Sequence, residues 1–224
     1  MVNIEVWKEL KAELEVQGVV LIAVSKTKPV SDIQALYDLG QRDFGENYVQ
    51  ELVEKQPQLP SDIRWHFIGH LQTNKVKYIA PFVSVVHAVD SMKLLQEINK
   101  QADKSGREID VLLQLHIAEE ETKYGLDETG IIKLIEQYEA QSSELQKIRI
   151  CGVMAMATFT ENTDQVKEEF RRAKAVFENL RQAHFFHRPY FKMLSVGMSG
   201  DYKLAIEEGS TAVRIGSMLF GDRR

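Results

Sequence analysis

A chain of 224 residues with 28 basic and 33 acidic side chains carries a net charge of −5, and its 44% apolar and 27% charged content is that of an ordinary globular protein, not of a disordered or coiled-coil one. No apolar run approaches the length that spans a bilayer, and the first twenty residues hold scattered acids and no apolar leader core, so the expected location is cytoplasmic. Cys151 is the only cysteine, which excludes an intrachain disulfide or a cysteine zinc cluster. The mildly acidic balance, without a dense Lys/Arg block, points away from nucleic acid and anionic membranes and toward a small ligand.

Taken in chain order, residues 6–16 read as a helix preceding the first strand and are expected to close the bottom of the fold. Short apolar, β-branched runs then recur at 19–25, 43–46, 65–69, 84–89, 109–117, 148–156, 193–196 and 211–216. Between them lie amphipathic segments. Ser31 is placed to cap a helix carrying Ile33, Leu36 and Leu39 with Gly40 as its stop, and Ser91 to cap one carrying Leu94, Leu95 and Ile98. Ile131, Leu134, Ile135 and Tyr138 form a third stripe, and Val166, Phe170, Ala173, Phe177 and Leu180 the cleanest. Strand–helix alternation fits either a closed or a doubly wound open sheet. Eight regular units without a Gly-rich dinucleotide turn after the first strand favour a closed (β/α)8 TIM barrel, and the absence of any linker makes residues 1–224 one domain.

Barrel active sites lie at the carboxyl ends of the strands, so the residues that follow each strand matter most. The first strand ends AVSKTKP. Its two-residue period puts Ile22, Val24 and Lys26 on one face, and if Val24 lines the barrel, Lys26 points inward at the mouth. Partial desolvation there lowers an amine's pKa and suits it to Schiff-base chemistry; the plainer alternative is a surface lysine just past a strand. The last two strands run into LSVGMSGD and VRIGSMLFG, whose Ser199, Gly200, Gly216 and Ser217 let backbone N–H groups approach a phosphate. Alternatively Ser199 only caps its own helix. Arg214, flanked by Val213 and Ile215, faces the interior if those two face the helices, and it needs an acceptor: a ligand, or a carboxylate such as Glu46. Together an amine, a phosphate site and an arginine for a ring nitrogen suggest pyridoxal 5′-phosphate.

The segments AVSKTKP, FGENYVQE, HFIGHLQTNK, ETKYG, GVMAM, LSVGMSGD and VRIGSMLFG run from Ala23 to Gly221 in an order that resembles the pyridoxal phosphate homeostasis proteins, a family similar in fold to the barrel domain of alanine racemase. The resemblance implies Lys26 as the Schiff-base lysine, Arg214 as the ring-nitrogen partner, Ser199, Gly216 and Ser217 as phosphate contacts, and Asn47 and Ser195 as further contacts. Val196 and Met156 depart from the family's usual residues but exchange apolar for apolar. The implied role is a non-catalytic carrier that holds the cofactor and regulates its free pool. Its expected partners are the small-molecule cofactor and pyridoxal-phosphate-dependent apo-enzymes; neither nucleic acid nor a membrane is expected, and a complete barrel needs no second copy, so a monomer is expected.

The rival reading is an amino-acid racemase, which needs a proton-transfer group on each face of the substrate carbon. Alanine racemase takes its second group, a tyrosine, from an extra domain; here only Tyr48, Tyr124 or Tyr202 is available. A bare scaffold barrel would leave Lys26 and Arg214 facing one another without an anion. Among the remaining candidates, His66 and His70 lack the helical spacing of a zinc site, and His66 reads as barrel-lining. Lys123 reads as a solvated loop lysine at the mouth, Met154 and Met156 as core packing near the ligand, and Cys151 as inert strand filler.

Overall fold

Strand β1 (Val20–Val24) pairs in parallel with β2 (Asp43–Glu46) on one side and with the last strand, β8 (Ala212–Ile215), on the other, and this double pairing closes the sheet. Between them run β3 (Arg64–Phe67), β4 (Val85–Val89), β5 (Ile109–Leu115), β6 (Ile148–Ala155) and β7 (Met193–Met198), each parallel to its neighbours in chain order. The expected (β/α)8 barrel is the observed fold. The structure, a computed structural model, describes residues 2–120 and 124–221.

Alternation along each strand divides the buried residues into two clusters. Leu21, Ala23, Val111, Leu113, Ile150, Val153, Val213 and Ile215 point outward and join the helices α2 (Val30–Asp38), α5 (Met92–Lys104), α6 (Glu128–Ala140) and α7 (Thr163–Ala183) in one continuous outer core. The α7 stripe is buried as its spacing predicts, with Asn162 Oδ1 accepting the Gln165 N–H at the helix start. Truncating Phe170, which is fully buried there, would cost about 3–5 kcal/mol. Facing the other way, Val85, Ala88, Leu112, Cys151 and Met154 form a separate apolar cluster that fills the lower barrel interior. Burial pushes the Cys151 thiol up to about 12, so it is an inert filler at neutral pH.

Beside this plug, a polar chain runs inward from the barrel floor. Arg64 bonds Asp43, Asp43 Oδ1 lies 3.0 Å from His66 Nε2, and His66 Nδ1 lies 2.9 Å from His87 Nε2. Burial would raise the Asp43 carboxyl, but hydrogen bonds from His66 and Arg64 hold it down at about 2. Burial, with the charges of His66 and Arg214, keeps His87 well below the usual histidine range and therefore neutral. His66 is thus interior and structural, as expected.

Two local expectations need correction. Helix α1 (Ile4–Val16) does not lie under the barrel: its buried face, Trp7, Leu10 and Leu14, joins the outer core. The Asn3 N–H donates to Leu219 O, which ties α1 to the short helix α9 (Ser217–Phe220), so α1 packs on the outer wall where so short a last helix leaves β1 and β8 uncovered. Ser31 is not a cap but lies inside α2; extended Pro29 occupies the capping position, because its fixed φ and missing N–H suit the residue just outside a helix. Ser91 stands at the cap position of α5, yet its side chain makes no capping bond.

Candidate functional site

The carboxyl ends of the strands surround a cavity of about 580 Å³. Val24 and Lys26 both line it, as the two-residue period of β1 requires. Ile68 reaches it by continuing the inward face of β3, and Met156 by continuing that of β6, whereas Met154 two residues earlier lies in the dry interior below. Phe159, almost fully exposed, stands at the rim. Its loop is anchored by buried Glu169 of α7, which accepts both the N–H and the hydroxyl of Thr158.

Arg214 projects into the interior from β8, its neighbours Val213 and Ile215 lying in the outer core. One guanidinium nitrogen donates to Ser195 O at 2.6 Å and to Ser195 Oγ at 2.8 Å, and another to Ala155 O at 3.0 Å. Among the described residues no carboxylate forms an ion pair with it. Burial lowers its pKa to about 10, which still leaves it cationic at neutral pH. The alternative pairing with Glu46 is absent because Glu46 is held by Lys55 and Ser25 instead. Arg214 is thus an inward cation fixed by neutral acceptors, with the charge of Asp201 acting against the effect of burial.

On the side of β7 and β8 the groups are small. The Gly216 N–H donates to Ser199 Oγ at 3.2 Å, which brings the two strand ends together and leaves the Ser199 hydroxyl hydrogen to serve an outside acceptor. Ser199 does not cap helix α8 (Tyr202–Glu207); Asp201 holds that position, and its Oδ1 accepts the Met198 N–H to tighten the turn. Ser217 opens α9, in which the Leu219 and Phe220 N–H groups both donate to Gly216 O, at 3.0 and 2.9 Å. Across the mouth, the Lys28 ammonium donates to Phe220 O and Gly221 O, both at 3.0 Å, binding the loop after β1 to the carboxyl end of α9.

Asn47, just past β2, lines the cavity with its Oδ1 buried and lacking any hydrogen-bond partner among the described residues. An orphaned acceptor of this kind calls for a ligand or water. Its backbone is fixed by close packing: a Cβ at Gly69 would come within 2.3 Å of Asn47 O, so only glycine fits there.

Of the residues singled out from sequence, Lys26, Asn47, Ser199, Arg214, Gly216 and Ser217 all line this one cavity. Ser195 does not; fully buried, it touches Arg214 from behind. Lys123 lies outside the described residues. Among the described residues no tyrosine lines the cavity: Tyr202 is in the outer core, Tyr124 stacks on His70, and Tyr48 is exposed before helix α3 (Val49–Lys55). Nor do any three His, Cys, Asp or Glu among them gather as a metal site. Sequence reasoning missed Ile68, Phe159 and Met198 as lining residues; for Ile68 the alternation with His66 was an available signal.

The chain is a closed parallel barrel with a cavity-lining lysine after its first strand and a buried arginine on its last, and residues 5–224 match the alanine racemase N-terminal domain family. Within it, the chain belongs to the pyridoxal phosphate homeostasis protein family. It is 39% identical over 205 residues to the pyridoxal phosphate homeostasis protein of Aquifex aeolicus, covering 91% of this chain and 87% of that one, and 36% identical over 211 residues to that of Escherichia coli K12, covering 92% and 87%. The solved structure of PipY from Synechococcus elongatus PCC7942 without PLP superposes with a TM-score of 0.87 at 34% identity over 97% of this chain and 99% of that one; PipY with PLP bound gives 0.79 at 35%, over 95% and 99%. Alanine racemase of Clostridium difficile shares the fold alone, with a TM-score of 0.71 at 14% identity, and this chain spans 58% of it.

Proposed function

We propose that the protein binds pyridoxal 5′-phosphate in this cavity and serves its intracellular homeostasis as a carrier without turnover of its own, with residues 1–224 working as one unit. The observation that carries the reading is convergence: an amine, a cation fixed by neutral acceptors, an orphaned acceptor and a small-residue cradle, brought from β1, β2, β7 and β8, meet around one space. Pyridoxal 5′-phosphate supplies an aldehyde, to which a neutral amine adds with loss of water. Lys26 provides that amine from its half-buried position at the mouth. Ser199 and Ser217 would hold the phosphate by hydroxyl and backbone N–H groups, Gly216 would brace Ser199 through its own N–H and keep the cradle open, and Asn47 would contribute an acceptor beside the ring. Ser195 acts through Arg214, fixing the guanidinium that meets the ring nitrogen.

Arg214 also argues for carrying over catalysis. A guanidinium only donates, so the ring nitrogen opposite it stays unprotonated and the ring is a weak electron sink. The Aquifex aeolicus and Escherichia coli relatives bear the homeostasis name, whereas the Clostridium difficile alanine racemase shares the fold at 14% identity. We further infer that the bound cofactor is handed to pyridoxal-phosphate-dependent apo-enzymes, that the protein acts as a monomer, and that it works in the cytoplasm. No helix among the described residues is long and apolar enough to cross a membrane. Borohydride reduction of the cofactor-loaded protein, followed by peptide mapping, tests the assignment. The modified peptide should contain residue 26; fixation chiefly at Lys28 or Lys123 would overturn it.

A further inference from the structure

Directly behind the loop that carries Lys26 lies a buried charge cluster with no role in the reading above. Lys55, the last residue of α3, places its ammonium 2.7 Å from Glu46 Oε1 and 2.8 Å from Ser25 O, and it also bonds Glu51 Oε1. The Ser25 hydroxyl donates to the same Glu46 oxygen at 2.7 Å, and the Thr27 N–H donates to Glu51 Oε1. Glu46 is completely buried and Lys55 nearly so. Such clusters stabilise a fold little more than well-packed apolar side chains of the same volume, so position is the better explanation for one.

What the cluster grips is the backbone on both sides of Lys26. Residues 25–28 form a tight turn, closed by the Lys28 N–H to Ser25 O at 3.0 Å, and its third residue, Thr27, has φ +63°. That place favours glycine or asparagine, and a β-branched residue there is strained. The strain would be relieved by flipping the peptide between Lys26 and Thr27, which converts the turn to the commoner form. That peptide's N–H is the one Glu51 accepts, so flipping would break the bond. Lys55 meanwhile holds Ser25 O, the acceptor that closes the turn.

We propose that Glu46, Glu51 and Lys55 are positioning residues for Lys26: they lock the 25–28 turn in its strained form and thereby hold the amine toward the cavity. The inference rests on Lys26 being the residue that joins the cofactor.

The test uses the full chain with Glu51→Gln, Lys55→Met, Thr27→Gly, and Glu51→Gln combined with Thr27→Gly. Two ligands separate linkage from pocket binding: pyridoxal 5′-phosphate, and pyridoxine 5′-phosphate, an alcohol with the same ring and phosphate that cannot join an amine. Replacing the charged Glu51 carboxylate, which accepts the Thr27 N–H and pairs with Lys55, by a neutral amide should weaken the aldehyde's binding, and the yield fixed at residue 26, about tenfold in Glu51→Gln. Pyridoxine 5′-phosphate should bind as before. Because glycine takes a positive φ without strain, adding Thr27→Gly to Glu51→Gln should recover most of the loss, a result that a merely structural role would not give. If Lys55→Met fails to fold, Glu51→Gln, at a part-exposed position, still decides. Unchanged linkage in Glu51→Gln, an equal loss for the alcohol, or no recovery with glycine would each overturn the proposal while leaving Lys26 in place. Fixation of the wild-type protein at another lysine would instead overturn the reading beneath it.

Discussion

The two sides of the cavity mouth are built on different principles. After β1 and β2 the chemistry is carried by side chains: Lys26, Asn47 with its orphaned oxygen, and behind them a buried ion cluster and a strained threonine. After β7 and β8 it is carried by backbone and small residues, Ser199, Gly216 and Ser217, braced by one hydrogen bond of 3.2 Å. The difference follows from the partners proposed for each. A phosphate is recognised by any well-aimed N–H group, so the chain needs only to stay small and out of the way. Reaction at an aldehyde requires one nitrogen at one angle, and holding it there takes a supporting structure.

This contrast can be broken in four ways. The largest effect belongs to Lys26→Ala, which should abolish borohydride fixation at residue 26, as read by mass spectrometry of the digested protein. Pyridoxine 5′-phosphate should still bind within about twofold of wild type, since it never used the amine. Next, the floor beneath both sides can be loosened. Asp43 is held at about 2, against an ordinary value near 3.8, so its contribution to stability is complete above pH 4 and is lost as pH falls toward 2. That contribution is roughly 2 kcal/mol by linkage. In urea melts between pH 7 and 2.5, Asp43→Asn should be destabilised at neutral pH and lose less on acidification, and both ligands should be affected alike.

On the backbone side, Ser199→Ala should weaken pyridoxal 5′-phosphate and pyridoxine 5′-phosphate about tenfold each, the loss of one charge-assisted bond, and leave pyridoxal, which lacks the phosphate, nearly unchanged. Equal weakening of all three in a titration would remove the phosphate from that side of the mouth. The smallest effect is expected for Gly216→Ala. Its φ is negative and a Cβ would meet Val24 at an ordinary 3.4 Å, so the N–H bond to Ser199 Oγ survives and affinity should change by less than about threefold.

Much of the barrel and its mouth is legible in the amino-acid sequence. Parity along a strand is a local property, so spacing puts Lys26 on the face of Val24 and Arg214 opposite Val213 and Ile215, and the structure shows that face to be the inner one. Strand and helix alternation likewise conveys the barrel. What escapes is whatever depends on one element returning over another. Lys55 belongs to the same short helix as Glu51, but its meeting with Ser25 exists only because α3 folds back across β1 and β2. The place of α1 on the outer wall depends on how short the last helix is, a fact about the other end of the chain. Ser195 is expected as a contact, and its backing of Arg214 becomes visible only when β7 and β8 lie side by side. Capping at Ser31 misleads because serine's preference for a helix start is outweighed by the proline two residues before it.

The apolar plug of Val85, Leu112, Cys151 and Met154 has a consequence for traffic. With the lower barrel filled and Arg214 above it, the described residues close the cavity from below, and on the proposed function what enters by the mouth leaves by the mouth. Loading and unloading are therefore competing uses of the same aperture. A protein seated on the rim, over exposed Phe159, would shut out solvent and take delivery in a single act, while an empty rim leaves the cargo to water. A carrier with a back door would leak; this cavity is stoppered from below by the barrel's own core, as the proposed function would require.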